Sequence, residues 1–204
     1  MRTDISRGAS ATFAANRAQG AVRFGVQLQD GVTRRGDLHE SGSLRVRFPS
    51  PEQEGLSGVF VNTAGGIAGG DRFDIDIAAA EGSRLTLTTA AAEKVYRAAG
   101  PAAQLNIALK AESGAHLSWL PQETILFDRA RIVRRIDIDL AADASLLLCE
   151  IVVFGRSAMG EKMLHGEFVD RWRLRRGGKL VFAETVRLDG DIGGRRGRHH
   201  VGGR

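Results

Sequence analysis

The 204-residue sequence holds a single cysteine, Cys149, which excludes an internal disulfide and fits a reducing, cytoplasmic compartment. No apolar run approaches the roughly 20 residues of a membrane helix. The first twenty residues, MRTDISRGASATFAANRAQG, carry an acid and lack the apolar segment of a secretory signal. Aromatic residues make up only 6% of the chain, too few for the stacking platforms of a nucleic-acid binder. The net charge of +5 is no counter-argument, because residues 193–204, GGRRGRHHVGGR, supply four arginines and no acid. Without them the balance falls to +1, and acids and bases alternate along the rest, as in RFDIDI and RRIDIDL. The expectation is a soluble protein that binds neither nucleic acid nor membrane.

Signatures of chemistry are also missing. Neither GxxxxGK[ST] nor GxGxxG can be read from any glycine of NTAGGIAGGDR (residues 62–72), so no phosphate loop is present. There is no CxxC, HxH or HExxH, and His39, His116 and His165 stand alone. His199-His200 sit in the glycine and arginine tail. No GxSxG elbow exists, and Cys149 lies in LLLCEIVVF, where a thiol is expected to pack as a small hydrophobe.

What is present is a loose internal repeat. FDIDIAAAEGSRLTLTT from Phe73, LNIALKAESGAHLSWL from Leu105, IDIDLAADASLLLCEI from Ile136 and WRLRRGGKLVFAETVRL from Trp172 each read strand, small-residue turn, strand. Their starts lie 32, 31 and 36 residues apart. Phe73, Ile75 and Ile77 share one face, as do Ile136, Ile138 and Leu140, with aspartates opposite: the period-2 pattern of half-buried strands. VRFGVQLQ and SLRVRF alternate likewise, and the loop PSPEQEG separates them from the glycine segment. Repeats of this length predict a mainly β chain, a β-helix-like stack of strands with one or two short helices. Residues 90–100, AAAEKVYRAAG, are either a helix or an extension of the preceding strand; 156–166, RSAMGEKMLHG, is the better short helix or helical turn. The expected organisation is a flexible segment at 1–20, a β domain at 21–190 and a disordered tail at 191–204.

Four glycines, Gly65, Gly66, Gly69 and Gly70, mark either tight turns where strands approach closely or a rigid turn that aims Asp71 and Arg72 at a site or partner. SWLPQETILFD (118–128) combines Trp119 and Pro121 with the carboxylates Glu123 and Asp128. A glycosidase-like pair flanking a bond within about 5–10 Å is one reading. An odd separation on a regular strand opposes it, because the two side chains then point to opposite faces. A protein that hands a metal on would instead use few, weak oxygen ligands; Glu93, Glu123, Asp128, Glu150 and Glu161 offer them. The run DRARIVRRI reads as a solvated edge or partner-facing surface.

Together NTAGGIAGGDRF, TTAAAEKVYRAAG and the stretch from GAHLSWLPQETILFD through GRSAMGE to GGKLVF resemble the urease accessory protein UreD family, called UreH in some bacteria. The likeness is carried from about Arg23 to Asp189. It implies a β-helix-like fold and a non-enzymatic maturation factor that works with apo-urease, UreF and the GTPase UreG. It further implies Ni2+ in transit along an internal polar path, with no tightly bound cofactor. Asp71, Glu93, Glu123, Asp128, Glu150 and Glu161 are then candidates for the nickel path, and Gly65, Gly66, Gly69, Gly70, Arg72, Tyr96, Trp119, Pro121 and Arg156 for structure or partner contact. Members of the family continue well past the position of Asp189, so the chain is expected to be truncated at that end, poorly soluble alone, with its tail outside the likeness. A β-helix carbohydrate-active enzyme using Glu123 and Asp128, and a purely structural β domain, are the alternatives.

Overall fold

A computed structural model describes residues 17–49 and 55–193. Most of PSPEQEG, the first sixteen residues and the tail from 194 onward lie outside the described residues, as do His199 and His200.

The described residues form fifteen strands: β1 (Gln19–Gln29), β2 (Val32–Gly42), β3 (Leu44–Arg47), β4 (Leu56–Asn62), β5 (Arg72–Ala79), β6 (Arg84–Thr89), β7 (Glu93–Val95), β8 (Ala103–Ala111), β9 (His116–Trp119), β10 (Thr124–Leu126), β11 (Arg131–Leu140), β12 (Ser145–Leu148), β13 (Val152–Phe154), β14 (His165–Arg176) and β15 (Lys179–Asp191). They form three sheets: sheet A in the order β15-β14-β11-β8-β5-β1-β2, sheet B in the order β12-β9-β6-β4-β3, and sheet C in the order β13-β10-β7. The chain visits A, B and C in turn, in the coils β5-β6-β7, β8-β9-β10 and β11-β12-β13. Neighbouring coils pair in parallel. This is a β-solenoid, in which each coil covers the apolar edge of the one before.

Alternation drives it. The burial of β5 and of β11 switches strictly along the strand, with Phe73, Ile75 and Ile77 inward and Arg72 and Asp76 outward. Register stacks like on like: Ile75 opposes Ile107, Ile107 opposes Ile136, and Ile136 opposes Trp172. The expected repeat is right at two of three steps, since Phe73 pairs with Leu105 and Ile136 with Trp172. At the middle step Leu105 pairs with Arg134, not with Ile136. A slip of two residues leaves every side chain on its own face, so the hydrophobic pattern alone does not resolve it.

The fourth repeat departs in kind. After Gly177-Gly178 the chain does not cross to sheet B but returns as β15, antiparallel to β14. The one helical element among the described residues is the short 3-10 turn Ser157–Met159, within the segment expected to turn helically. Residues 90–100 choose the extended alternative, as β7 and an irregular continuation. Cys149 corrects its expectation: it lies just past the end of β12 and is exposed, because it continues the outward phase of Ser145 and Leu147.

Candidate functional site: a cavity between the sheets

The glycine segment is a corner of the stack. Ile67 bridges Val95 in parallel, donating its amide to Lys94 O at 2.7 Å while Tyr96 N returns to Ile67 O at 2.8 Å. It therefore holds the place that β7, β10 and β13 hold in later coils. Close approach explains the glycines: a Cβ on Gly66 would sit 2.8 Å from Lys94 O, and one on Gly69 2.9 Å from Pro101 O. Gly66 (φ 150°) and Gly70 (φ 85°) also adopt backbone angles that side chains disfavour. Asp71, only 4% exposed, accepts the amides of Ala18 at 2.9 Å and Ala68 at 2.7 Å and ties the corner to β1. Arg72 faces solvent and pairs with Asp74 at 2.9 Å, holding that carboxyl below its ordinary range.

Behind this corner the sheets enclose a cavity of about 350 Å3. Its wall is mostly apolar: Phe60 and Trp119 from sheet B, and Phe73, Ile75, Leu105, Ile107 and Ile132 from sheet A. Gly65, Gly66 and Ile67 form one side, and exposed Ala90, Ala91 and Gln122 stand where it meets solvent. Half-buried Pro121 adjoins that rim, and buried Thr124 lies deeper in the wall. Four ionisable residues break the apolar lining: Glu93, Arg134 and Glu150, with exposed Lys94 at its edge.

Arg134 occupies an inward rung. Its neighbours across β8 and β5 are Leu105 and Phe73, so the apolar ladder turns charged at β11. The guanidinium, 2% exposed, forks onto Asp170, Nε to Oδ1 at 2.9 Å and Nη2 to Oδ2 at 2.6 Å, and its Nη1 donates to Glu150. Burial works against the charge, but Asp170 and Glu150 outweigh it and raise the guanidinium pKa. Trp119 Nε1 donates to Glu150 Oε1 at 2.8 Å, and Trp172 Nε1 to Asp170 Oδ2 at 2.9 Å. One cation thus faces two carboxylates, which leaves this buried cluster one negative charge in excess. Across the cavity Glu93 accepts from Asn62 Nδ2, at 3.3 Å to each oxygen. Burial pushes its carboxyl up to about 7, against the opposing pull of Asn62 and the Lys94 amide.

Two of the six candidate metal residues, Glu93 and Glu150, therefore meet in one cavity. The others lie elsewhere. Glu123 is half-buried and outside the cavity lining; its carbonyl receives the Glu93 amide at 2.9 Å. Asp128 accepts the amides of Leu164 at 2.9 Å and His165 at 3.1 Å, which with Arg129 hold it below the ordinary carboxylate range despite burial. Glu161 is paired with Arg156, whose hydrogen bond lowers its pKa, and it accepts the Asp128 amide. Arg156 also stacks 4.1 Å over the Phe127 ring. Tyr96 donates to Gly65 O at 2.8 Å and meets Phe127 edge-on at 5.2 Å. Glu123 and Asp128 bracket β10 on either side and share no cleft with each other, contrary to a glycosidase pair.

Sequence reasoning missed Arg134 and Asp170, and DRARIVRRI is no solvated edge at Arg134. The signal was there: Arg134 falls on the same phase as Ile132, Ile136 and Ile138, and Asp170 on that of Phe168 and Trp172. Among the described residues no cluster of three or more His, Cys, Asp or Glu has metal-holding geometry. No helix among them is long and apolar enough to cross a membrane.

The sequence profile of the UreD urease accessory proteins matches residues 18–204, running past Asp189, where the likeness was expected to stop. The chain is 79% identical over 191 residues to the urease accessory protein UreD of Rhodopseudomonas palustris (strain BisB18), covering 94% of this chain and 69% of that protein. It is 76% identical over 201 residues to the urease accessory protein UreD of Bradyrhizobium diazoefficiens, covering 98% and 72%. A solenoid whose core encloses a largely apolar cavity is thus joined to a sequence match over nearly its whole length, and the chain belongs to the UreD family of urease accessory proteins.

Proposed function

We propose that this chain is a cytoplasmic, non-enzymatic urease maturation factor that binds apo-urease and, with UreF and the GTPase UreG, passes Ni2+ toward the urease active site. The observation that carries the reading is the cavity between the sheets, with Glu93 on one wall and the Arg134–Glu150–Asp170 cluster on the other. Carboxylate oxygens in a largely apolar chamber attract a divalent cation, yet oxygen ligands this sparse release it again. Nickel is cargo here, not a resident cofactor. Glu93 and Glu150 are the carboxylates we assign to the path. Asp71, Asp128 and Glu161 serve the frame, each spending its oxygens on backbone amides or an arginine.

The test is complementation of a urease operon that lacks its own UreD, scoring nickel per active site and urea hydrolysis. The intact chain is expected to restore both. E93Q and E150Q are expected to lower nickel occupancy while leaving binding to apo-urease intact. Full activation by the double variant E93Q/E150Q would remove the cavity from the mechanism.

A further inference from the structure

The outer face of sheet A is neutralised in one half and not in the other. On β1 and β5, Arg23 pairs with Asp76 at 3.0 Å and Arg72 with Asp74 at 2.9 Å. On β11 and β14 the arrangement differs. Arg135 stands directly opposite Arg171, one row before Asp137 opposite Arg173 and Asp139 opposite Arg175. Arg135, Arg171 and Arg175 are exposed, and none of the three closes an ion pair or hydrogen bond with any described residue. Arg173 spends its guanidinium on the carbonyls of Trp172 and Glu184. Like charges placed directly opposite destabilise a sheet, so folding gains nothing from this row.

We infer that the outer face of β11 and β14 is a docking surface for an acidic, charge-patterned face of a partner protein. The partner is a protein because the surface is a pattern, not a uniform positive field. A phosphate backbone crossing the three arginines would also lie against Asp137 and Asp139, which repel it. The outward positions of neighbouring β8 are Gln104, Asn106, Ala108 and Lys110, with no ring on which a base could stack. A folded partner can place acids over the arginines and a base over the aspartates, which fixes register as well as attraction. Strand geometry sets the spacing it must match, about 5 Å between strands and about 7 Å between rows.

The inference rests on the assembly reading above, so the probe is purified apo-urease, alone and with UreF, titrated against the intact chain at two ionic strengths. For R171E/R175E the expected result is at least about tenfold weaker binding, carried mainly by slower association, with a shallower salt dependence. D137K/D139K is expected to weaken binding several-fold too, because it erases the pattern while adding positive charge. If reversal harms folding, R171Q/R175Q is expected to lose about threefold in the same direction. A single-stranded DNA 20-mer separates the alternative: binding to the intact chain as tight as apo-urease, and tightened by D137K/D139K, would overturn the inference in favour of a polyanion site. Equal affinity of R171E/R175E and the intact chain for apo-urease would overturn it and leave the assembly reading standing. Failure of the intact chain both to bind apo-urease and to restore urease activity would overturn both.

Discussion

The three complete coils and the β14–β15 hairpin use similar sequence and are covered very differently. In the coils, each inward residue of sheet A meets an equivalent above, an equivalent below and a sheet B residue across; Ile77, Leu109 and Ile138 are all at most 2% exposed. In the hairpin, Phe182 opposes Leu174 and Val186 opposes Asp170 on the same inward phase, yet Phe182 is 45% exposed and Val186 39%. Sheet B ends at β12 and sheet C at β13, so nothing stands across from β15 among the described residues. Among the described residues, eight of the nine exposed large hydrophobics lie from Leu147 to Val186, and Leu28 is the ninth. Alternation makes a strand; a facing strand makes it core.

The comparison can be broken most severely at Arg134. R134A leaves Asp170 and Glu150 buried without their cation, at an expected cost of about 3–5 kcal/mol in urea unfolding. R173A, on the outward phase of the hairpin, is expected to change stability by less than about 0.5 kcal/mol. Next comes pure packing. I138A in a complete coil is expected to cost about 2–5 kcal/mol. F182A in the hairpin is expected to cost less than about 1 kcal/mol, because most of the ring surface stays in water when folded. Equal losses at the two sites would mean that β15 is covered in solution.

A pH titration sharpens the same contrast at Glu93. Its folded pKa of about 7 stands above the ordinary 4.5, so the folded state holds the proton more tightly. Its contribution is fully present below pH 4.5 and is lost as pH rises through about 7. The expected difference is up to roughly 3 kcal/mol, and E93Q should flatten stability across that window. The smallest effect concerns handling. F182S with V186T is expected to raise the soluble yield of the isolated chain while moving its thermal midpoint by no more than about 2–4 °C. A monodisperse, fully soluble parent chain would make that substitution pointless and contradict the expected poor solubility.

The repeat was legible because alternation survives in β5, β8, β11 and β14. What was not legible has physical reasons. β2, VTRRGDLHESG, is polar on both faces, so no period marks it; it is held by backbone pairing to β1. The strands of sheet C are three residues each, too short for a period of two to register. The glycine corner was legible as a corner, but its equivalence to β7 came only from the Ile67–Val95 bridge. At the site, the carboxylates Glu93 and Glu150 were named as two of many acids. Their meeting depends on stacking coils about thirty residues apart, which no local pattern reports. Arg134 was visible in principle as a charge on an apolar phase, and such a residue is a better pointer to a buried site than any acid on a polar one.

The parallel stacking also bears on how the molecule is made. Phe73 finds Leu105 only 32 residues later, Leu105 finds Arg134 after 29, and Arg134 finds Asp170 after 36. Each such closure costs roughly 3 kcal/mol of chain entropy before its ladder forms. Only the β1–β2 and β14–β15 pairs are tight hairpins with both strands in sheet A. Winding is therefore templated and slow, with each new turn laid on a finished one, and the emerging chain gains order in steps of one whole circuit.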